Sequence, residues 1–174
     1  DTNTACLMFG GLAAPARTAN TELWNGTAWS ETTDLNTARS NQGEFGSSTS
    51  AISCGGNGPT GQSEEFTGAG QPIGAWSTGG ALNTSRENIA GSGTYTAALG
   101  FGGYAPGAGA PVGNTEQYNG SSWTEVADLT TARASMGSAI NAPYTATLGF
   151  GGISPPGANY RNLTETWDGS SWTE

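Results

Sequence analysis

The stretch "TEQYNGSSWTEVADLTTAR", which runs from Thr115 to Arg133, decides the fold because the chain contains a second copy of it. The other copy, "TELWNGTAWSETTDLNTAR", runs from Thr21 to Arg39. Both copies begin with Thr-Glu, reach an Asn-Gly pair, continue through a tryptophan and end on an arginine. A fixed internal period indicates a repeat architecture before any other feature of a sequence is considered. We therefore interpret the 174 residues as a series of similar units.

Three independent landmarks recur with one period of about 47 residues. The landmarks are a glycine pair, a tryptophan, and an arginine ten residues after that tryptophan. The glycine pairs begin at Gly10, Gly55, Gly102 and Gly151, the tryptophans are Trp29, Trp76, Trp123 and Trp172, and the arginines are Arg39, Arg86 and Arg133. A solenoid of parallel strands has a shorter period, and no segment shows helical spacing of its apolar residues.

Each glycine pair follows a short alternating apolar segment, such as "TAALGFGG" over residues 96–103. Apolar residues stand one and three places before the first glycine, so Leu99 and Phe101 share one face of an extended chain. This pattern predicts a strand that ends at the glycine pair. Cys54 takes the place of the phenylalanine in the second unit, and we interpret it as a small buried apolar residue.

A hairpin follows, because Asn25-Gly26, Asn119-Gly120 and Asp168-Gly169 are strong signals for a tight turn. A two-residue turn predicts that Trp24 lies opposite Thr27, with Trp29 diagonal to Trp24 on the same face. The second unit has a longer loop over residues 67–75 instead. The predicted aromatic core consists of Trp24, Trp29, Trp76, Tyr118, Trp123, Trp167 and Trp172.

Four short strands in a unit of about 47 residues are typical of a β-propeller blade. The unit resembles a kelch blade, with a small-residue inner strand, an apolar strand ending in Gly102-Gly103, a strand bearing Tyr118 and an outer strand opened by Trp123. Its short turn is similar to that of repeat arrays in bacteriophage virion and bacterial surface proteins. The resemblance implies an all-β fold, a β-propeller of four-stranded kelch-like blades in an open or partial ring.

We expect residues 1–174 to form a single kelch-like region with units at approximately 1–38, 39–85, 86–132 and 133–174. On this template the first blade lacks its inner strand and the last blade is truncated. Exposed strand edges pair readily with other chains. The expected partners are therefore other protein chains, or further repeats of the same protein, that complete the ring or assembly.

The composition excludes several classes of partner and site. The chain has 29 glycines, no histidine, five arginines as its only cationic side chains and a net charge of -9, which argues against nucleic acid as a partner. No apolar run approaches the roughly 18 residues needed to cross a bilayer, so we expect no membrane insertion. Cys6 and Cys54 lack the paired spacing of a zinc site.

Little in the sequence could support catalysis, and we expect no enzyme, cofactor or metal. Histidine and lysine are absent, and no nucleophile, zinc or phosphate-loop motif occurs. The Gly-Trp spacing matches that of sialidase Asp boxes, but the Asp-Gly spacing does not, because those boxes keep a residue between Asp and Gly whereas Asp168 directly precedes Gly169. Glutamates recur two places before the aromatic residue of each unit, and we predict that they form ion pairs within 4 Å of the recurring arginines. They are Glu22, Glu64, Glu116 and Glu165.

The loops after the glycine pairs differ while the strands agree, as expected of a scaffold that carries binding segments. These loops span residues 12–20, 57–62, 104–114 and 153–163, and the recurring arginines are expected near the same face. Their most contact-prone side chains are Arg17, Tyr104, Tyr160 and Arg161. The first hypothesis is a non-catalytic structural and recognition segment of an extracellular or virion surface assembly, such as a tail fibre, spike or adhesin. The alternatives are a lectin that binds cell-surface glycan and, third, a carbohydrate-active enzyme.

Overall fold

The protein folds entirely from β-strands in the computed structural model, which describes residues 4–57, 61–68, 74–156 and 159–174. Four antiparallel sheets follow one another along the chain, and three two-stranded hairpins lie between strands of these sheets. The described residues contain no α-helix. We number the four larger sheets I to IV in chain order.

Sheet I contains three strands and encloses a separate hairpin. Its strands are the first, fourth and fifth of the chain, and the second and third form hairpin I. The bounds are β1 Cys6–Phe9, β2 Leu12–Ala13, β3 Ala16–Arg17, β4 Thr21–Trp24 and β5 Trp29–Glu31.

Sheet II has four strands in chain order, β6 Gly43–Ser47, β7 Ser50–Cys54, β8 Ser63–Thr67 and β9 Ala75–Thr78. Sheet III repeats this order with a hairpin, hairpin III, inserted between its second and third strands. Its strands and hairpin are β10 Ala90–Thr94, β11 Ala97–Phe101, β12 Tyr104–Ala105, β13 Ala110–Pro111, β14 Thr115–Tyr118 and β15 Trp123–Glu125, with β12 and β13 forming the hairpin.

Sheet IV repeats the arrangement of sheet III, including the inserted hairpin, which we call hairpin IV. Its elements are β16 Gly137–Ser138, β17 Thr147–Phe150, β18 Ile153–Ser154, β19 Asn159–Tyr160, β20 Thr164–Trp167 and β21 Trp172–Thr173, with β18 and β19 forming the hairpin. The first strands of sheets II, III and IV are neighbours, since β6 contacts β10 and β10 contacts β16.

Small residues in the first strands allow a close approach to the second strand of the same sheet. Gly46 has a φ of 117°, and a Cβ added there would lie 2.1 Å from the Ser50 carbonyl oxygen. Gly93 occupies the equivalent place in sheet III, with a φ of 104°. Only glycine adopts this backbone without strain, so it permits the tight connection from first to second strand.

The turn before the tryptophan of sheets I, III and IV is longer than the two residues predicted from the Asn-Gly and Asp-Gly signals. Trp24 lies directly opposite Trp29, and residues 25–28 form the loop. Asn25 Oδ1 accepts hydrogen bonds from the backbone N–H groups of Thr27 and Ala28 at 2.9 and 3.0 Å. This side-chain cap stabilises the four-residue loop, so the predicted pairing of Trp24 with Thr27 was wrong. The aromatic pair still shares one face, with ring centroids 5.5 Å apart.

In sheet II, a large residue on the first strand compensates for a small residue on the second strand. Cys54 is fully buried, whereas the equivalent Phe101 fills its site with a ring. The space beside Cys54 is occupied by Phe45 of the first strand, which is 3% exposed and reaches towards sheet III. A Cβ at Gly91 would lie 2.2 Å from the Phe45 ring. Phe45 therefore packs directly against the backbone of the next sheet.

Replacing Phe45 with alanine should lower the free energy of unfolding by about 3–5 kcal/mol, because the ring fills a site that no neighbour can close. Chemical denaturation of the variant and the parent measures the difference. Thr49→Ala, at an exposed turn beside the same strand, is the control and should change stability by less than about 0.5 kcal/mol. Equal losses in both variants would contradict this packing role.

Cys54 should resist thiol reagents in the folded protein, since burial raises its pKa to about 12. The thiolate is the reactive form, and Cys6 is only partly buried. We expect a colorimetric thiol assay at pH 8 to detect one reactive group per folded chain and two after denaturation. Rapid reaction of both cysteines in the folded chain would disprove the expectation.

Candidate functional site

The four sheets stack through two different faces, which the strand registers define. The tryptophan face of a sheet carries its tryptophan and its recurring glutamate, as Trp76 and Glu64 do in sheet II. The opposite, hydroxyl face carries a serine or threonine one residue before that glutamate. Each tryptophan face of sheets II, III and IV packs on the hydroxyl face of the preceding sheet. We call each such contact a junction.

A buried hydrogen bond crosses every junction at the same place. Trp76 donates its indole N–H to Thr21 Oγ1 at 3.0 Å, linking sheet II to sheet I. Trp123 donates to Ser63 Oγ at 2.9 Å, and Trp172 donates to Thr115 Oγ1 at 3.0 Å. Because a buried indole N–H needs an acceptor, this hydrogen bond fixes the position of each sheet along its neighbour.

Aromatic contacts surround these bonds. Phe9 meets Trp76 edge-on with ring centroids 4.7 Å apart, and Phe101 lies 4.6 Å from Trp172 at the last junction. Tyr118 donates its hydroxyl to Glu65 at the middle junction. Burial, and next this hydrogen bond, raise the pKa of Tyr118 to about 12. The junctions are therefore apolar with a few paired polar groups.

The structure brings three of the four glutamates together with the three recurring arginines. The Nη2–Oε1 distances are 2.8 Å for Arg39–Glu64, 2.9 Å for Arg86–Glu116 and 2.7 Å for Arg133–Glu165. All six side chains are buried. Each arginine comes from the segment that connects two sheets and binds the glutamate of the second one.

The arginines also bind backbone carbonyl groups. Arg39 Nη1 donates to the Gly55 and Gln62 carbonyl oxygens at 3.1 and 2.9 Å, and Arg86 and Arg133 bind the equivalent carbonyls. The first of these carbonyls ends the second strand, and the other precedes the third strand. We call the glutamate with these two carbonyls an arginine socket. Burial lowers the pKa of the Arg86 guanidinium, and Glu116 acts in the opposite direction.

The connecting segment gives the glutamate further donors. Glu64 Oε2 accepts from the Asn36 backbone and side-chain N–H groups at 2.6 and 2.9 Å. Asn83 binds Glu116 in the same way, and Thr130 binds Glu165 through its N–H and hydroxyl. A buried carboxylate is tolerated only when it is paired and hydrogen-bonded, and these contacts meet that requirement. The glutamates therefore hold the connections in place.

Sheet I differs because none of the described sheets packs on its tryptophan face. Glu22 is exposed and forms no ion pair within the described part of the chain, so the predicted pairing does not extend to it. Trp29 is 44% exposed, and Met8 on the same face is 58% exposed. At the other end, the hydroxyl face of sheet IV leaves Phe150 46% exposed.

Short β-hairpins form much of the segments that the sequence predicted as variable loops. Hairpins I, III and IV all lie between the second and third strands of their units. Single β-bridges join the connecting segments to this edge at Ser40–Asn57, Glu87–Tyr104 and Ala134–Ile153. The hairpins and the connections therefore share one edge of the sheets, which we call the hairpin edge.

Three hairpins carry three of the four predicted contact residues, and the fourth directly follows hairpin IV. Arg17 is exposed on hairpin I, and Tyr104 is half-buried on hairpin III. Tyr160 of hairpin IV is 90% exposed, and the neighbouring Arg161 donates to Ser154 Oγ. Arg39, Arg86 and Arg133 reach the same edge but are fully buried, so they cannot contact a ligand directly. Residues 58–60, 69–73 and 157–158 of the predicted loops lie outside the described residues.

Neither a metal cluster nor a membrane helix occurs in residues 4–57, 61–68, 74–156 and 159–174. Within these ranges, no three His, Cys, Asp or Glu side chains converge on a possible metal site. No helix of the described chain has the length and apolar character to cross a bilayer.

Sequence reasoning missed the acceptors of the indole bonds, although a signal was present. Thr21, Ser63, Thr115 and Thr164 each stand directly before a recurring glutamate. A hydroxyl conserved within the repeat at a strand position facing away from the glutamate indicates a partner on the neighbouring unit.

Removing one partner of a buried ion pair should destabilise the protein strongly. Glu116→Gln leaves the Arg86 guanidinium buried without a counter-charge, and we expect a loss of about 3–5 kcal/mol in the free energy of unfolding. Glu22→Gln changes the equivalent residue in sheet I, which none of the described arginines binds, and should cost less than about 0.5 kcal/mol. Denaturant titration of both variants checks this. Similar effects would show that the ion pair contributes little.

Comparison with known proteins gives a likeness of fold without a family. No protein-family model matches the chain, and no curated protein matches it. In contrast, 138 chains of solved structures are similar to it. One of them, described as "Structure of YjhT", has a TM-score of 0.73 and 10% sequence identity. The match covers 90% of this chain and 52% of that chain, so this chain spans about half the length of the solved protein.

Proposed function

We propose that the four sheets are consecutive blades of a kelch-like β-propeller that acts as a non-catalytic structural and recognition segment. The observation that carries this proposal is the contrast between constant junctions and variable hairpins. Each junction uses the same indole bond and each connection the same ion pair, whereas the hairpin edge differs in length and side chains from unit to unit. A rigid scaffold with a variable edge is suited to recognition.

The partial ring is supported by the contacts between first strands. These strands adjoin one another, and the same indole bond and the same ion pair recur from each sheet to the next. A propeller places its first strands around a central channel in this way. The uncovered aromatic residues Trp29 and Phe150 lie on the two end faces, where further units continue the ring.

We propose that the segment is not catalytic because its buried carboxylates are already engaged in structural contacts. Glu64, Glu116 and Glu165 are each held by an arginine and by donors of the connecting segment, which leaves them no capacity for proton transfer. A glycosidase needs two carboxylates on either side of one bond. Hydrolysis of a glycan that Glu22→Gln abolishes would contradict this part of the proposal.

We propose an extracellular or virion surface location, as in a tail fibre, spike or adhesin, from the repeat resemblance. An exposed aromatic ring can also stack on a sugar, and Tyr160 therefore favours a lectin as the second candidate. In both cases the ligand binds the hairpin edge. The two candidates differ in whether that ligand is protein or carbohydrate.

Substitution of Tyr160 by alanine should weaken binding at the hairpin edge by at least about tenfold, because tyrosine anchors at interfaces are typically worth more than about 1.4 kcal/mol. The probes are a glycan array and an array of immobilised surface proteins. Tyr144→Ala, near the turn between the first two strands of sheet IV at the opposite edge, is the control. A glycan signal lost only in Tyr160→Ala identifies a lectin, whereas equal binding by both variants excludes the hairpin edge.

A further inference from the structure

Sheet I contains an arginine socket that none of the described arginines fills. In sheets II, III and IV the socket consists of a glutamate, the carbonyl of the first glycine in the glycine pair and the carbonyl two residues before the glutamate. The equivalent groups in sheet I belong to Glu22, Gly10 and Asn20. Gly10 donates its N–H to the Asn20 carbonyl at 3.0 Å, as Gly55 does to Gln62 in sheet II. The backbone of the unfilled socket is therefore already in the binding arrangement.

A pocket lies where the guanidinium group should enter. It measures about 260 Å³ and is lined by Glu22, Gly10 and Asn20, together with Met8, Phe9, Ala13 and Thr18. Glu22 is exposed, whereas the glutamates of the filled sockets are 0–2% exposed. Glu31 lies directly opposite Glu22, so two carboxylates make this face negative. The pocket combines shape, carbonyl acceptors and charge for a guanidinium.

We infer that this socket binds the arginine of a connecting segment from a further unit of the same repeat, a segment of the form Leu-X-Thr-Ala-Arg. The filled sockets show what such a segment supplies. Arg39 binds the glutamate and both carbonyls, and the backbone N–H groups of Asn36 and Thr37 bind the same carboxylate. The inference deepens the proposed ring and rests on it, because the incoming segment leads into sheet I as Arg39 leads into sheet II.

A second copy of this chain is a poorer occupant. Its own three connecting segments hold Arg39, Arg86 and Arg133 fully buried in their sockets. Release of any of them would expose a buried carboxylate at a cost of several kcal/mol. The partner is therefore a repeat unit whose arginine is not already engaged.

The test uses a synthetic peptide with the sequence of residues 127–135, which includes Leu129 and Arg133. Titration of the ¹⁵N-labelled full chain should shift the backbone N–H signals of Gly10, Asn20 and Glu22, with a Kd of about 1 mM or tighter. Replacement of the peptide arginine by citrulline, which has the same shape without the charge, should weaken binding at least about tenfold.

The matched protein variants are Glu22→Gln and Asp168→Asn. Each removes one negative charge from an exposed residue, and asparagine is the natural residue at the equivalent turn of sheets I and III. Glu22→Gln should abolish the peptide shifts, and Asp168→Asn should leave them unchanged. Absent shifts at Gly10 and Asn20, equal binding of the citrulline peptide, or binding that persists in Glu22→Gln would each overturn the inference.

Two further measurements separate the possible failures. Sedimentation of the chain alone should show a monomer, and self-association that the peptide does not reverse would assign the face to a second copy and overturn the inference. The titration probes the socket beside hairpin I and does not involve Tyr160 of hairpin IV. A chain that fails to bind the peptide but binds an array through Tyr160 would therefore retain the proposed recognition function while losing the socket.

Discussion

The arginine–glutamate pair at each connection is the interaction on which the arrangement of the sheets depends. It joins three elements at once, because the guanidinium binds the end of the second strand, the residue before the third strand and a carboxylate within that strand. Buried ion pairs contribute little net stability compared with apolar packing, but they are strongly directional. The pair therefore specifies where the connection crosses the edge, and hence where the next sheet begins.

The indole hydrogen bond complements the ion pair because it fixes the position of each sheet against the preceding sheet, whereas the ion pair fixes the connection at the edge. The arginine anchors the connection at one edge of a sheet, while the tryptophan reaches back from its last strand to a hydroxyl of the sheet before. Because these two polar contacts lie at separate places, one sheet has little freedom to rotate relative to the next. The apolar residues between them can then vary, as the exchange of phenylalanine for Cys54 and the compensating Phe45 show. This is why a repeat with weak sequence agreement in its core still stacks regularly.

Much of this architecture could be predicted from the sequence because its signals are periodic. Spacing located the strands of the four sheets and the aromatic pairs, and the recurrence of both charges indicated that the recurring glutamates pair with Arg39, Arg86 and Arg133. Prediction failed where a local contact competes with a general rule. The Asn25 side chain caps two N–H groups and lengthens a turn that Asn-Gly usually makes short. Hairpins I, III and IV were predicted only as variable loops, since two-residue strands leave almost no alternation to detect. The site residues on them depend on exposure, which no periodic pattern encodes.

The burial of three arginines also shapes the electric field of the molecule. Each of those arginines is neutralised by its glutamate, so the net charge of -9 belongs to the rest of the chain. The remaining cationic side chains are Arg17 and Arg161, and both lie at the hairpin edge. Most of the surface therefore repels anions, while one edge carries two isolated positive centres. At long range the net negative charge dominates, so these two guanidinium groups act on a ligand only within about one Debye length, roughly 8–10 Å.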